Sequence, residues 1–220
     1  MNGLNIVQEI AVWALPVLFA ITVHEVAHGW VARRLGDPTA MMLGRLSLNP
    51  AKHIDPLGTV AVPLLLLIMG GFIFGWAKPV PITWENLKHP KRDMVLVAAA
   101  GPGSNFAMAL IWGLITKLAQ LLPEASPSLA SLKMGLVLMG EAGIVINIIL
   151  MVLNLLPLPP LDGGRGVAGF LPDRVAWKYG RIEPYGFLIL LGLLVTGVLA
   201  RIMGPPVHIL NTFVFQLFHL

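Results

Sequence analysis

A cluster of ionisable side chains inside an apolar run constrains this chain more than any other feature. From Ile10 to Val31 the sequence is almost wholly hydrophobic, yet it contains His24, Glu25 and His28. Titratable groups are costly in hydrocarbon, so an intramembrane cluster of them marks a functional site. Their spacing is His-Glu-x-x-His. On a helix, positions i and i+4 share one face, about 6 Å apart along the axis. Two imidazoles so placed can grip one Zn²⁺, and the Glu between them can act as base toward a metal-bound water. A soluble surface helix can carry the same pattern harmlessly. Flanks of Val, Ile, Leu and Phe argue against that, because they leave no water to solvate the charges.

The rest of the chain fits a membrane setting. It is 56% hydrophobic and 12% charged, with a mean hydropathy of +0.80, whereas a soluble domain carries roughly a quarter charged residues. No polar stretch is long enough to fold as a second soluble domain, so residues 1–220 read as one membrane-embedded domain. The absence of cysteine excludes disulfides, thiolate metal ligands and a cysteine nucleophile. The net charge of +4 sits in clusters beside apolar segments. That suits a lipid bilayer and positive-inside anchoring, not nucleic acid. No Lys or Arg precedes the first apolar run, unlike a cleaved signal peptide.

Hydropathy predicts an all-α, polytopic integral membrane bundle of about five to six apolar segments. The first helix runs from about Val7 to Leu35, with Pro16 placed to kink it, and Gly36-Asp37-Pro38 ends it. Further apolar runs span 57–74, 94–122, 132–156 and 184–203. Residues 164–183 read as a polar loop, and the tail 205–220 falls short of the ~20 residues needed to span. The loops 29–56, 76–93 and 164–183 each hold four Lys or Arg, against one in 123–133. The positive-inside rule puts the first three in the cytoplasm and the N-terminus outside. One crossing by 57–75 would break that parity, so this stretch is expected to dip in and return, with Gly70-Gly71 near its turn, or to pack as a partial helix.

Catalytic zinc takes three protein ligands plus water, so a third ligand is required. The reprolysin-type continuation is excluded, because Val31 and Arg34 stand where it needs Gly and His. A later Glu, as in thermolysin-like enzymes, leaves Glu85, Glu124 and Glu141 open. Asp162 is better placed: it follows an apolar helix of spanning length, and Gly163-Gly164 lets backbone come close to another element. The plainer reading of Asp162 is a helix cap or Asx turn. His53 is a weaker candidate to support the site from outside the ligand set.

Three motifs then occur in order: His24-Glu25-Val26-Ala27-His28, Gly101-Pro102-Gly103-Ser104-Asn105, and the stretch from Asn154 through Pro157 and Pro159 to Asp162-Gly163. Together they resemble the site-2 protease family of intramembrane zinc metalloproteases, in its compact subgroup without PDZ or CBS domains, over roughly residues 5–185. The resemblance implies that His24, His28 and Asp162 bind zinc, that Glu25 is the catalytic acid/base, and that Asn154 lies beside the substrate. Asn105 matches the family's Gly-Pro-x-x-Asn motif and is, with Asn154, a candidate to bind substrate or the oxyanion; an interhelical hydrogen bond is its plainer reading. Residues 49–58 also look like a feature of the compact subgroup, with no role assigned.

Physically, Pro157, Pro159 and Pro160 cannot continue a helix, so 154–162 should leave helical geometry and offer carbonyls to an unwound substrate. Gly101 and Gly103 are expected to permit close helix packing. The implied activity is zinc-dependent hydrolysis of peptide bonds within or near transmembrane segments of other membrane proteins, by a multi-pass protein of the cell membrane. The competing class is a non-catalytic zinc scaffold or a metal transporter. A transporter should show polar ligands on several helices or repeat symmetry, and the sequence has neither. The substrate's identity and the oligomeric state are not legible.

Overall fold

The computed structural model describes residues 5–61 and 77–220. Among them there is helix and no strand. Helix α1 spans Ile6–Leu35 and starts at a reciprocal cap, in which the Asn5 side chain accepts from Gln8 N–H and the Gln8 side chain from Asn5 N–H. It stops at Gly36, whose φ of 119° is open to glycine and costly for other residues. A one-turn helix α2, Thr39–Met42, follows, then 3₁₀ turns at Pro50–Lys52 and Trp84–Asn86 and a π-helical turn at Pro56–Ala61. The long helices α3, Pro90–Gln120, and α4, Pro127–Asn154, come next. Two short helices, α5, Asp162–Phe170, and α6, Asp173–Gly180, precede α7, Glu183–Val195, and α8, Val198–Phe218.

Helices α1, α3, α4 and α8 are long and apolar enough to cross a membrane, and the chain is a multi-pass membrane protein. Leu15, Leu18, Phe19 and Trp30 on α1 and Ile111, Leu114 and Leu118 on α3 stay exposed, as suits lipid contact. The interior is close-packed around Trp112, Ile144, Ile148, Val152 and Val214, contributed by α3, α4 and α8. Lipid is as apolar as these side chains, so complementary packing and not burial from water holds the helices together. Gly143 serves this packing: a Cβ there would meet the Trp112 ring 2.6 Å away at Cδ1.

The chain ends of these helices define two faces. The C-terminal half of α1, the N-terminal half of α3 and the start of α5 converge, since His28 touches Val97 and Asp162. At the other face, Lys117 Nζ donates to His219 O near the turn 121–126. The segments 36–61 and 77–89 therefore share a side with 155–182, and 121–126 lies opposite, in keeping with the charge pattern. The expected return of 57–75, with its Gly70-Gly71 turn, falls largely on 62–76, outside the described residues. Its flanks do meet, because Lys78 N–H donates to His53 O at 2.9 Å.

Several sequence expectations need correction. Residues 164–183 are not a loop but contain α5 and α6, held on α3 by Lys91, which donates to Leu171 O and pairs with Asp173. The run 184–203 is not one helix, because Gly197, at φ 72°, separates α7 from α8. The tail is not too short to span. Its helix begins at Val198, seven residues ahead of Pro205, and carries Pro205-Pro206 inside it. Asn154 is still helical, as the last residue of α4, so the irregular stretch is 155–161.

Candidate metal centre

His24 and His28 point from one face of α1 into the space between α1, α3 and α5. Their rings meet edge to face, with centroids 4.7 Å apart. Asp162, at the start of α5, reaches the same point. The His24 Nε2 to Asp162 Oδ2 distance is 3.2 Å, His28 Nε2 to Oδ2 is 3.1 Å, and the two Nε2 atoms are 3.1 Å apart. The three residues are 7%, 7% and 8% exposed, so water cannot relieve their mutual repulsion. Three donors held at about 2.0–2.1 Å by one tetrahedral ion would sit roughly 3.3 Å from one another. The observed triangle matches that edge. Among the described residues Asp162 Oδ2 has no hydrogen-bond partner, which fits an oxygen reserved for a cation.

The far side of each ring sets its tautomer. His28 Nδ1 lies 2.7 Å from Val97 O, and a carbonyl only accepts, so Nδ1 carries the proton and Nε2 presents a lone pair. His24 Nδ1 lies 2.6 Å from Asn105 Oδ1, with the same consequence. Two lone pairs and a carboxylate thus converge on one buried point, an arrangement that needs positive charge at its centre. An imidazole–imidazole–carboxylate set without thiolates suits a hydrolytic zinc site. Among the described residues, His24, His28 and Asp162 form the one group of three or more such side chains arranged to hold a metal.

The alternative ligands lie elsewhere. Glu124 pairs with Lys133 at the opposite face, Glu85 sits in the 3₁₀ turn, and neither Glu85, Glu124 nor Glu141 joins the cluster. His53 Nε2 donates to Ser47 O and braces a loop. Asn154 donates from its amide to Leu150 O within its own helix. Among the described residues it makes no hydrogen bond to the cluster.

Glycines let the elements approach. A Cβ at Gly101 would lie 2.6 Å from His24 Nε2 and closer still to His28 Nε2. Among the described residues nothing lies within 4 Å of such a Cβ at Gly103, so they show no packing role for it. Gly163 sits against the backbone of Leu155 and Leu156, and Gly164 against that of Leu158 and Pro159. The element that the two glycines approach is the irregular segment immediately before them.

Two partners escaped the sequence reading. Glu25 Oε2 accepts a 2.8 Å hydrogen bond from Val80 N–H. Val80 lies in Pro79-Val80-Pro81, where the neighbouring residues have no amide hydrogen to offer. Arg45 holds this segment through Lys78 O and Pro79 O, and Asp37 holds it through Thr83 N–H. The second partner is Asn147 on α4, fully buried and hydrogen-bonded to Asn105. Its one sequence signal is an amide inside the apolar run 144–153, seven residues before Asn154 and so on nearly the same helix face.

Fold and site together define a class: a polytopic helical membrane protein with a His-Glu-x-x-His pair and a distant aspartate meeting inside the bundle. Over 204 residues, 93% of this chain and 89% of the relative, the sequence is 38% identical to "Putative zinc metalloprotease YwhC" of Bacillus subtilis. It is 30% identical over 185 residues to "Putative zinc metalloprotease Rip2" of Mycolicibacterium smegmatis, which covers 84% of this chain and 66% of that protein. A shorter match, 33% identical over 129 residues, joins 49% of the chain to 30% of "Zinc metalloprotease Rip1" of Mycobacterium tuberculosis. No family model and no solved structure matches the sequence. The chain belongs to the site-2 protease family.

Proposed function

We propose that this protein is an intramembrane zinc endopeptidase of the cell membrane that hydrolyses peptide bonds within or near transmembrane segments of other membrane proteins. The observation that carries the reading is the triangle of His24 Nε2, His28 Nε2 and Asp162 Oδ2, with edges of 3.1–3.2 Å and both imidazole protons turned away from its centre. His24, His28 and Asp162 hold the ion. Bound there, zinc supplies Lewis acidity toward water and toward the scissile carbonyl. Glu25 is not a ligand. It takes a proton from the attacking water and returns it to the leaving amine, while the Val80 amide keeps its Oε2 in place. Asn154 and the non-helical segment after it offer hydrogen-bonding groups to a substrate strand.

Depth supports a membrane-embedded substrate. His28 and His24 lie seven and eleven residues before Leu35, the end of α1, or roughly 10 and 16 Å inward at 1.5 Å per residue. Those depths are about a third and a half of a roughly 30 Å hydrocarbon layer. The deciding experiment compares the wild type with Glu25→Gln in lipid vesicles, using a reporter transmembrane segment. The wild type should hold one zinc per chain and cleave, whereas the variant should hold zinc and not cleave. A wild type that binds zinc but cleaves nothing across a panel of segments would favour a scaffold, and cleavage by Glu25→Gln would remove Glu25 from the mechanism.

A further inference from the structure

The metal triangle requires His24 to carry its proton on Nδ1, yet the group facing Nδ1 is an amide, and an amide has two ends. Had Asn105 presented its NH₂ to His24, the imidazole would have had to accept there and protonate Nε2, placing a proton where the ion binds. The orientation is decided farther back. Asn147 Nδ2 lies 2.8 Å from Gly143 O, and Asn147 Oδ1 lies 2.9 Å from Asn105 Nδ2. Gly143 O can only accept, so the NH₂ of Asn147 must face it and the oxygen of Asn147 must face Asn105. That oxygen in turn demands the NH₂ of Asn105, which turns the Asn105 oxygen toward His24. Ala20 O, at 3.2 Å from Asn105 Nδ2, agrees with the same polarity. Both asparagines are fully buried, so no water can take either part.

We propose that Asn147 is a positioning residue for the metal centre: through the Asn105 amide it fixes the tautomer of His24 and so keeps the Nε2 lone pair aimed at the ion. It touches neither the ion nor the substrate. The inference rests on the zinc site proposed above and deepens it by adding a hydrogen-bonded relay from a backbone carbonyl on α4 to a ligand on α1. Partners that orient metal ligands in this way are worth roughly 10–100-fold in metal affinity.

The test measures zinc affinity by chelator competition on the purified full chain, with thermal unfolding of the zinc-free protein alongside. Asn147→Leu keeps the size of the side chain and removes both polar ends, and should weaken zinc binding about 10–100-fold. Asn147→Asp, as the protonated acid that an apolar interior favours, donates to Gly143 O and still shows an oxygen to Asn105, so it should stay within about threefold of wild type. The decisive arm is a double-mutant cycle with Asn105→Asp. A carboxylate shows an oxygen to His24 whichever way it turns, so in that background Asn147→Leu should change zinc affinity less than about threefold. An equal loss in both backgrounds would make Asn147 a packing residue and overturn the proposal, as would wild-type affinity in Asn147→Leu. Should the leucine variant not fold, Asn147→Ala runs the same cycle. A wild type that binds no zinc would instead overturn the metal centre itself.

Discussion

Replacing Gly101 by alanine adds one methyl group at the most sensitive point of the molecule. The new Cβ would lie 2.6 Å from His24 Nε2, 2.5 Å from His24 Cε1 and nearer still to His28 Nε2. Ordinary contact starts near 3.4 Å, so rings or helix must yield by close to 1 Å. Two effects oppose each other in stability. Alanine is better than glycine inside a helix by about 1 kcal/mol, and forcing a methyl into a packed interior costs about 1–3 kcal/mol. The net change is about 0–2 kcal/mol, which the fold should survive. Metal geometry has no such offset. A displacement near 1 Å of catalytic groups is worth roughly 100-fold, and both ligand nitrogens are affected. Gly101→Ala should therefore unfold within a few degrees of the wild type when zinc-free, bind zinc at least 100-fold more weakly and lose cleavage. Gly103→Ala, two residues along the same helix with no described atom within 4 Å of its Cβ, should leave zinc binding and cleavage unchanged. Chelator competition and vesicle cleavage assays read both. If Gly101→Ala kept wild-type affinity and rate, the close approach of α3 to the ligands would not matter and the reasoning would fail.

Val80→Pro removes the amide that meets Glu25 Oε2 while leaving the three proposed ligands untouched. The turnover rate should fall tenfold or more, in line with the roughly 1.5–3 kcal/mol of a hydrogen bond to a charged group, with zinc retained and Val80→Ala near wild type. For Asp37, burial alone would raise the carboxyl, but hydrogen bonds from the Thr39 and Asn86 side chains and from Thr83 and Thr39 N–H hold it below the ordinary aspartate value. Its folded value is thus lower than its unfolded value of about 3.9. The stabilisation is complete above that pH and is lost as pH falls through the folded value; unfolding in detergent should show this slope in the wild type and not in Asp37→Asn. Cysteines introduced at the exposed positions Ala125 and Arg174 should label from opposite sides of the membrane, Ala125→Cys from outside, and labelling from one side would refute the topology.

The parts of the site that use side-chain chemistry at a fixed period were readable from the sequence. His24 and His28 share a face because the helix repeat makes them do so, and Gly163-Gly164 signalled that the chain folds back beside Asp162. Val80 was not readable, because it acts through a backbone amide that every residue type except proline possesses. Asn147 was hidden for a different reason. An isolated asparagine in an apolar helix commonly makes an ordinary interhelical bond, and only the carbonyl positions of Gly143 and Ala20 reveal its direction. Helix α8 was obscured because the apolar sequence divides into the run 184–203 and a tail from 205, with Pro205-Pro206 at the join. Gly197 supplies the real boundary. The helices within 164–183 meet Lys91 of α3, more than seventy residues away in the chain, a contact that no local pattern encodes.

The participants in the centre come from widely separated points of the chain: His24 and Glu25 first, then Val80, Asn105, Asn147 and finally Asp162. A growing polypeptide that has threaded α1 into the bilayer carries two imidazoles without the aspartate that completes the triangle, and a general base without its amide. Neither the lone pair of His24 nor the position of Glu25 is fixed until later segments of the chain arrive. About three quarters of the 220 residues must be made and packed before the set is complete. Under the proposed mechanism, the nascent protein is therefore harmless to the membrane segments inserted beside it. On that reading the order of the motifs acts as a timing device, because competence to cut arrives only with the fold.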